Sequence, residues 1–142
     1  MDGQSEFDSR PMRILAAEDN LVNQMVLKAM FELKGIEPVI VENGEAAVAA
    51  WEQGEWDVIL MDVQMPVMDG MLATRKIRHR EAETGRAPTP IVALTANAMN
   101  HQVEEYMAAG MNRFVPKPIQ IAQFYDLIAE LIGRKWDHSA AA

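Results

Sequence analysis

The stretch VILMDVQMPVMDG, Val58 to Gly70, is where the fold of this chain can first be read. Four apolar residues, Val58 to Met61, run without a break into a carboxylate, Asp62, and then into a segment holding Pro66, Asp69 and Gly70. A short apolar run bounded by turn formers suits a strand covered on both faces, and such strands belong to parallel sheets with crossover helices. Met68, Asp69 and Gly70 read as the turn that opens the next helix, with Asp69 as its cap.

Outward from there the period of the apolar residues changes regularly. Upstream, Ile14 to Ala17 forms a short strand, followed by Val22, Met25, Val26, Ala29, Met30 and Leu33 as the buried stripe of an amphipathic helix. Asn20 caps that helix and Gly35 stops it. Pro38 to Val41 gives a second strand, and Asn43 caps a second helix in which Trp51 packs late. Downstream, a helix runs through Leu72, Ala73 and Ile77, then a turn-rich loop spans Thr84 to Pro90. Ile91 to Leu94 is the fourth strand, and Met99, Val103 and Met107 mark the helix that Gly110 stops. Arg113 to Val115 is the fifth strand, and Phe124, Leu127, Ile128 and Leu131 line the last helix, ended by Gly133. Five strands alternating with five helices make a doubly wound α/β domain with right-handed crossovers. The domain spans residues 12–133, with residues 1–11 a flexible leader or expression remnant and 134–142 a disordered tail.

Composition narrows the function. The 142 residues suffice for one cored domain, and 49% apolar and 24% charged residues are ordinary soluble usage. With no cysteine there is neither a disulfide framework nor a thiolate metal site, which fits a reducing, cytoplasmic setting. No apolar run nears the roughly 20 residues that span a bilayer, so no membrane contact by this domain is expected. A net charge of −8 argues against direct nucleic-acid binding. The basic run Arg75, Lys76, Arg78, His79 and Arg80 is followed by Glu81 and Glu83 and reads as a solvated helix face.

In doubly wound sheets the ligand site lies beyond the carboxyl ends of the strands, where strand order reverses. Glu18 and Asp19 follow the first strand, Asp62 ends the third, Thr95 ends the fourth and Lys117 follows the fifth. Singly, each has a bland reading, as a helix cap, a turn former or a solvated side chain. The 11 methionines are core filling. Together, three carboxylates repel one another unless a cation intervenes, and oxygen ligands without His or Cys suit Mg²⁺. Lys117 adds the further positive charge that a transferring phosphoryl group needs.

Four blocks carry a family resemblance: ILAAEDN (Ile14 to Asn20), LMDVQMPVMDG (Leu60 to Gly70), ALTANAM (Ala93 to Met99) and AGMNRFVPKPI (Ala109 to Ile119). In this order, each at a strand end, they resemble the receiver domains of two-component response regulators, most of all those of hybrid sensor histidine kinases. The resemblance implies a flavodoxin-like, CheY-like sheet in strand order 2-1-3-4-5. It implies that Asp62 is the phosphoacceptor, taking its phosphoryl group from a phosphohistidine. Mg²⁺ would be bound by Asp19, Asp62 and the backbone carbonyl of Gln64, with Glu18 acting through a coordinated water. Glu18 stands where many relatives have Asp. Lys117 would pair with phosphoryl oxygens and Thr95 would hydrogen-bond one of them, with Phe114 as the switch aromatic. A cis peptide before Pro118 is expected, and Gln64 and Asn97 occupy positions that tune hydrolysis. The implied partner is a histidine kinase or a histidine phosphotransfer domain, docking on Leu21, Met65, Pro66 and Ile119 unless these residues merely finish the core. The domain itself is expected to be monomeric. Whether the chain counts as an enzyme stays open, since a receiver promotes only its own phosphorylation and dephosphorylation.

Two rivals come from other classes. A Mg²⁺-dependent phosphatase of the haloacid-dehalogenase kind also uses an Asp nucleophile after a strand, but needs a second Asp two residues on, where this chain has Gln64. A degenerate receiver serving only as a docking module conflicts with the intact set of Asp19, Asp62, Thr95 and Lys117.

Overall fold

Four consecutive buried apolar residues in β1 (Ile14–Ala17), and five buried residues in each of β3 (Val58–Asp62) and β4 (Ile91–Thr95), place these strands at the centre of a sheet. The computed structural model describes residues 12–132 and shows a parallel sheet in the order β2-β1-β3-β4-β5, with β2 at Val39–Val41 and β5 at Arg113–Pro116. The expected order is thereby met. The leader, the Gly133 stop and the tail lie outside the described residues. Five helices complete the alternation: α1 (Leu21–Glu32), α2 (Gly44–Gln53), α3 (Gly70–Thr84), α4 (Asn100–Ala109) and α5 (Ile121–Ile132).

Because side chains alternate along a strand, the sheet feeds two cores. Ile14, Ala16, Leu60, Leu94 and Val115 face α1 and α5. Leu15, Ala17, Ile59, Met61 and Ala93 face α2, α3 and α4, where Trp51, Ile77 and Tyr106 pack. Asn20, Asn43 and Asp69 cap α1, α2 and α3, each side chain accepting an amide hydrogen bond from the first turn. Gly110 ends α4 with a φ of 112°, and Gly35, past the end of α1, has a φ of 74°.

Three helix faces differ, wholly or in part, from expectation. On α1, Met30 is buried, but Val22, Met25, Val26, Ala29 and Leu33 are exposed; Leu27 and Phe31 fill the core instead. The helix is apolar on both sides, and the sheet takes the side bearing Phe31, whose ring meets Phe124 edge-on at 5.7 Å. Met99, just before α4, is exposed; on α4 Val103 and Met107 are half-buried, and Tyr106 with Ala109 forms the inner face. On α3, Leu72 is exposed, while Ala73 and Ile77 are buried as expected. In the basic run of α3, Arg75 and Lys76 are exposed, while Arg78 pairs with Glu81 at 2.8 Å, Arg80 with Glu52 at 2.6 Å and His79 with Glu83 at 3.2 Å.

Candidate functional site

Strand ends bring Glu18, Asp19, Asp62, Gln64, Thr95, Asn97 and Lys117 to one cleft of about 640 Å³. Glu18 is held there by its own amide, which donates to the Val41 carbonyl at the end of β2 at 3.0 Å. The segment after Asp62 is held just as closely. The Gly70 amide donates to the Val63 carbonyl, and a Cβ at Gly70 would strike the Asp62 carbonyl oxygen. At the far end of that loop the Gly44 amide donates to the Met68 carbonyl at 2.9 Å. Between these ties Val67 adopts a φ of 69°, a strained value for a β-branched residue that the surrounding bonds maintain.

Charge is concentrated in the cleft with too few partners. Glu18 is 1% exposed and Asp62 5%, while Asp19 is exposed, and one oxygen from each lies within 4.8 Å of the others. Lys117 Nζ stands 3.0 Å from Glu18 Oε1 and 3.3 Å from Asp62 Oδ2. The Asn20 amide donates to Glu18 Oε2 at 3.1 Å and the Gln64 amide to Asp62 Oδ1 at 3.2 Å. Glu18 Oε1, although beside the ammonium, has no donor in hydrogen-bond geometry.

These neighbours displace the proton affinities. Burial, then the adjacent Glu18, push the Asp62 carboxyl up to about 7, against the smaller pull of Lys117 and the Gln64 amide. Burial also pushes Glu18 up, but Lys117, the Asn20 amide and the Asp62 carboxyl together outweigh it and bring Glu18 below its ordinary value. Burial pulls Lys117 down, and the two carboxylates outweigh that and raise it. Without a further cation the site therefore favours retaining a proton on Asp62. An oxygen-only donor set, a buried oxygen lacking a hydrogen bond and surplus negative charge all fit a hard divalent cation such as Mg²⁺.

Thr95 Oγ1 is turned away from that charge. It donates toward the Asn97 carbonyl at 2.9 Å, accepts from the Asn97 amide at 2.9 Å and lies 2.8 Å from the Tyr106 hydroxyl. The Lys117 amide donates to the Thr95 carbonyl at 2.8 Å, joining the ends of β4 and β5, and the Lys117–Pro118 peptide is cis. Phe114 does not line the cleft; it is half-buried against the α2–α4 core. The residue that sequence reasoning missed is Tyr106, which lines the cleft and bonds Thr95. Its signal was an aromatic hydroxyl three residues after Val103, on the inner side of α4.

The family model of the response regulator receiver domain matches residues 14–129. The sensor protein GacS of Pseudomonas syringae pv. syringae is 42% identical over 127 residues, covering 89% of this chain and 14% of GacS. The chain thus spans a small part of that relative. The crystal structure of the receiver domain of a sensor histidine kinase from Pseudomonas aeruginosa PAO1, with magnesium coordinated in its active-site cleft, is similar at 41% identity and a TM-score of 0.78. That match covers 87% of this chain and 98% of the other. The receiver domain of the Saccharomyces cerevisiae response regulator Ssk1, co-crystallised with the histidine phosphotransfer protein Ypd1, is 30% identical with a TM-score of 0.78, covering 93% and 92% of the two chains. A family model matched over residues 14–129, and solved receiver domains matched along nearly their whole length, agree with the 2-1-3-4-5 sheet, and this chain belongs to the response regulator receiver domains of two-component phosphorelays.

Proposed function

We propose that Asp62 accepts a phosphoryl group from a phosphohistidine with Mg²⁺ in the cleft, and that the observation carrying this is the Glu18–Asp19–Asp62 cluster, two of whose carboxylates, Glu18 and Asp62, share the ammonium of Lys117. Asp19, Asp62 and the Gln64 carbonyl would hold the metal, and Glu18 would act through a coordinated water. The metal supplies neutralisation of the phosphoryl oxygens and of the carboxylates that bind it. Asp62 must lose its proton to attack, and Lys117, already 3.3 Å away, stabilises the ionised form and then pairs with phosphoryl oxygens. Phosphoryl transfer needs in-line placement more than covalent help, which the ties on either side of Asp62 provide. Gln64 and Asn97 tune hydrolysis of the acyl phosphate, a reading supported by their exposure at the cleft.

Thr95 and Phe114 form the switch. They share one face of the sheet, so a Thr95 side chain drawn toward the phosphoryl group vacates space on the side where Phe114 packs. Phe114 carries no hydroxyl and needs no polar partner when it moves in.

The partner is a histidine phosphotransfer domain or a histidine kinase, acting on a cytoplasmic, monomeric module bounded by residues 12–133, either a stand-alone relay or the receiver of a hybrid sensor kinase. Leu21, Val22 and Met25 are 69%, 66% and 63% exposed in a row on α1, which does not suit core residues. Beside them Leu27, Pro118 and Ile119 line a hollow of about 130 Å³ that reaches Glu18 and Lys117. Met65 and Pro66 flank the other side of the cleft. Leu21→Glu is expected to slow transfer from a phosphorylated histidine phosphotransfer protein while a small acyl phosphate still labels the variant at the unaltered rate. Equal loss with both donors would contradict docking on α1, and labelling of Asp62→Asn by either donor would contradict the acceptor.

A further inference from the structure

The Thr95 hydroxyl has one proton to give and two acceptors competing for it. The Asn97 carbonyl is 2.9 Å away and the Tyr106 hydroxyl 2.8 Å, while Tyr106 itself donates to that same carbonyl at 2.7 Å. Three oxygens thus form a closed triangle that shares two protons. Tyr106 comes from α4, is 2% exposed and has no part in the chemistry proposed above. Its ring belongs to the same core as Ala93, and Thr95, two residues on in the same strand, shares the Ala93 face of the sheet by alternation.

A phosphoryl oxygen on Asp62 would be a charged acceptor, and charge-assisted hydrogen bonds are about twice as strong as neutral ones. To make that bond Thr95 must withdraw its proton from the triangle. Of the two contacts it gives up, the Asn97 carbonyl belongs to an exposed residue, whereas the Tyr106 hydroxyl is buried. The buried contact is the harder one to lose, because water does not replace it. Tyr106 still keeps its own bond to the Asn97 carbonyl after Thr95 leaves. The hydroxyl is therefore paired in both states, as a two-state element requires.

We propose that Tyr106 is a positioning residue of the switch, its hydroxyl holding Thr95 in the resting orientation and coupling the release of Thr95 directly to α4. This rests on Asp62 being the phosphoacceptor. Phe114 cannot substitute for it, having no hydroxyl and no place in the cleft.

Beryllofluoride with Mg²⁺ serves as the probe on the full chain. Tyr106→Phe keeps the ring and removes one neutral hydrogen bond from the resting state, so it is expected to bind beryllofluoride roughly five-fold more tightly than wild type. In a Thr95→Val background the same substitution is expected to change nothing, since the contact is already gone. The chain has two tyrosines, which gives an internal control. On beryllofluoride binding the ¹³Cζ resonance of Tyr106 is expected to shift, while that of Tyr125, whose hydroxyl donates to the Met30 carbonyl on the opposite face at 2.6 Å, stays in place. Unchanged or weaker binding by Tyr106→Phe, a gain that persists in the Thr95→Val background, or an unmoved Tyr106 resonance would each overturn the proposal. If Tyr106→Phe does not fold, the wild-type resonances decide alone. Wild-type protein that fails to bind beryllofluoride would overturn the phosphoacceptor reading as well; binding without a Tyr106 response overturns only this one.

Discussion

At the amino ends of the strands the buried carboxylate of Glu81 is fully provided for, whereas at the carboxyl ends Glu18 and Asp62 divide one lysine between them. Glu81 Oε1 accepts from Arg78 at 2.8 Å and Oε2 from the Thr89 amide at 2.8 Å. Around it Trp51 Nε1 donates to Thr89 Oγ1 at 3.3 Å, Arg86 lies 4.1 Å over the Trp51 ring, and Arg78 also reaches the Gly110 carbonyl. At the opposite end a buried oxygen of Glu18 lacks a hydrogen bond and a proton is pushed onto Asp62. Both ends bury charge in one small domain, but only one completes its own partners. A buried charge that the chain itself satisfies is structural; charge left short of partners beside an open cleft is arranged for a ligand.

The sharpest way to break this contrast is Glu81→Ala. It removes two charge-assisted hydrogen bonds from a 5% exposed carboxylate, and is expected to cost about 3 kcal/mol in denaturant unfolding, lessened by the water that reaches Arg78. Labelling by a small acyl phosphate is expected to survive it. Loss of labelling in folded protein would show that the two ends are not separate.

An effect of opposite sign is expected at the other end. The Asp62 carboxyl sits at about 7 in the folded protein against an ordinary value near 3.8. Between these values the folded state holds more protons than the unfolded, so metal-free stability falls as pH rises through that window and stays reduced above it. Asp62→Asn is accordingly expected to raise the melting temperature of metal-free protein at pH 8 and to change it little at pH 4, where the carboxyl is protonated. Added Mg²⁺ is expected to stabilise wild type at pH 8 more than the variant. A variant that melts lower than wild type at pH 8 without metal would contradict this. Smaller again, Asp19→Ala removes an exposed, charged oxygen and is expected to weaken Mg²⁺ binding roughly ten-fold, read by titration, with little change in metal-free stability. Unaltered Mg²⁺ affinity would place the metal elsewhere.

How far the sequence carried these conclusions depended on how local the signal was. The strands were legible because β1, β3 and β4 are buried on both faces, which leaves an unbroken apolar run between turn formers. The acidic cluster and Lys117 were legible because each follows a strand end directly, so topology alone brings them together. The inner face of α1 was not: Leu21, Val22, Met25, Val26 and Leu33 make as good a stripe as Leu27, Met30 and Phe31, and only the position of the sheet chooses between them. Tyr106 was hidden for a related reason. Its partners are a strand-end hydroxyl and a loop carbonyl, and the path of residues 95–99 that joins them carries no periodic signal.

On this reading the unsatisfied end of the sheet is a Mg²⁺-dependent acceptor whose nucleophile is Asp62. Incubation with a small acyl phosphate and Mg²⁺, reduction of the product with borohydride and sequencing of the peptides tests it most directly. An aspartyl phosphate is reduced to homoserine, so homoserine is expected at position 62 alone, dependent on Mg²⁺ and absent from Asp62→Asn. Homoserine at another aspartate, the longer hydroxy amino acid that a glutamyl phosphate gives, or equal phosphoryl incorporation into Asp62→Asn would contradict this reading.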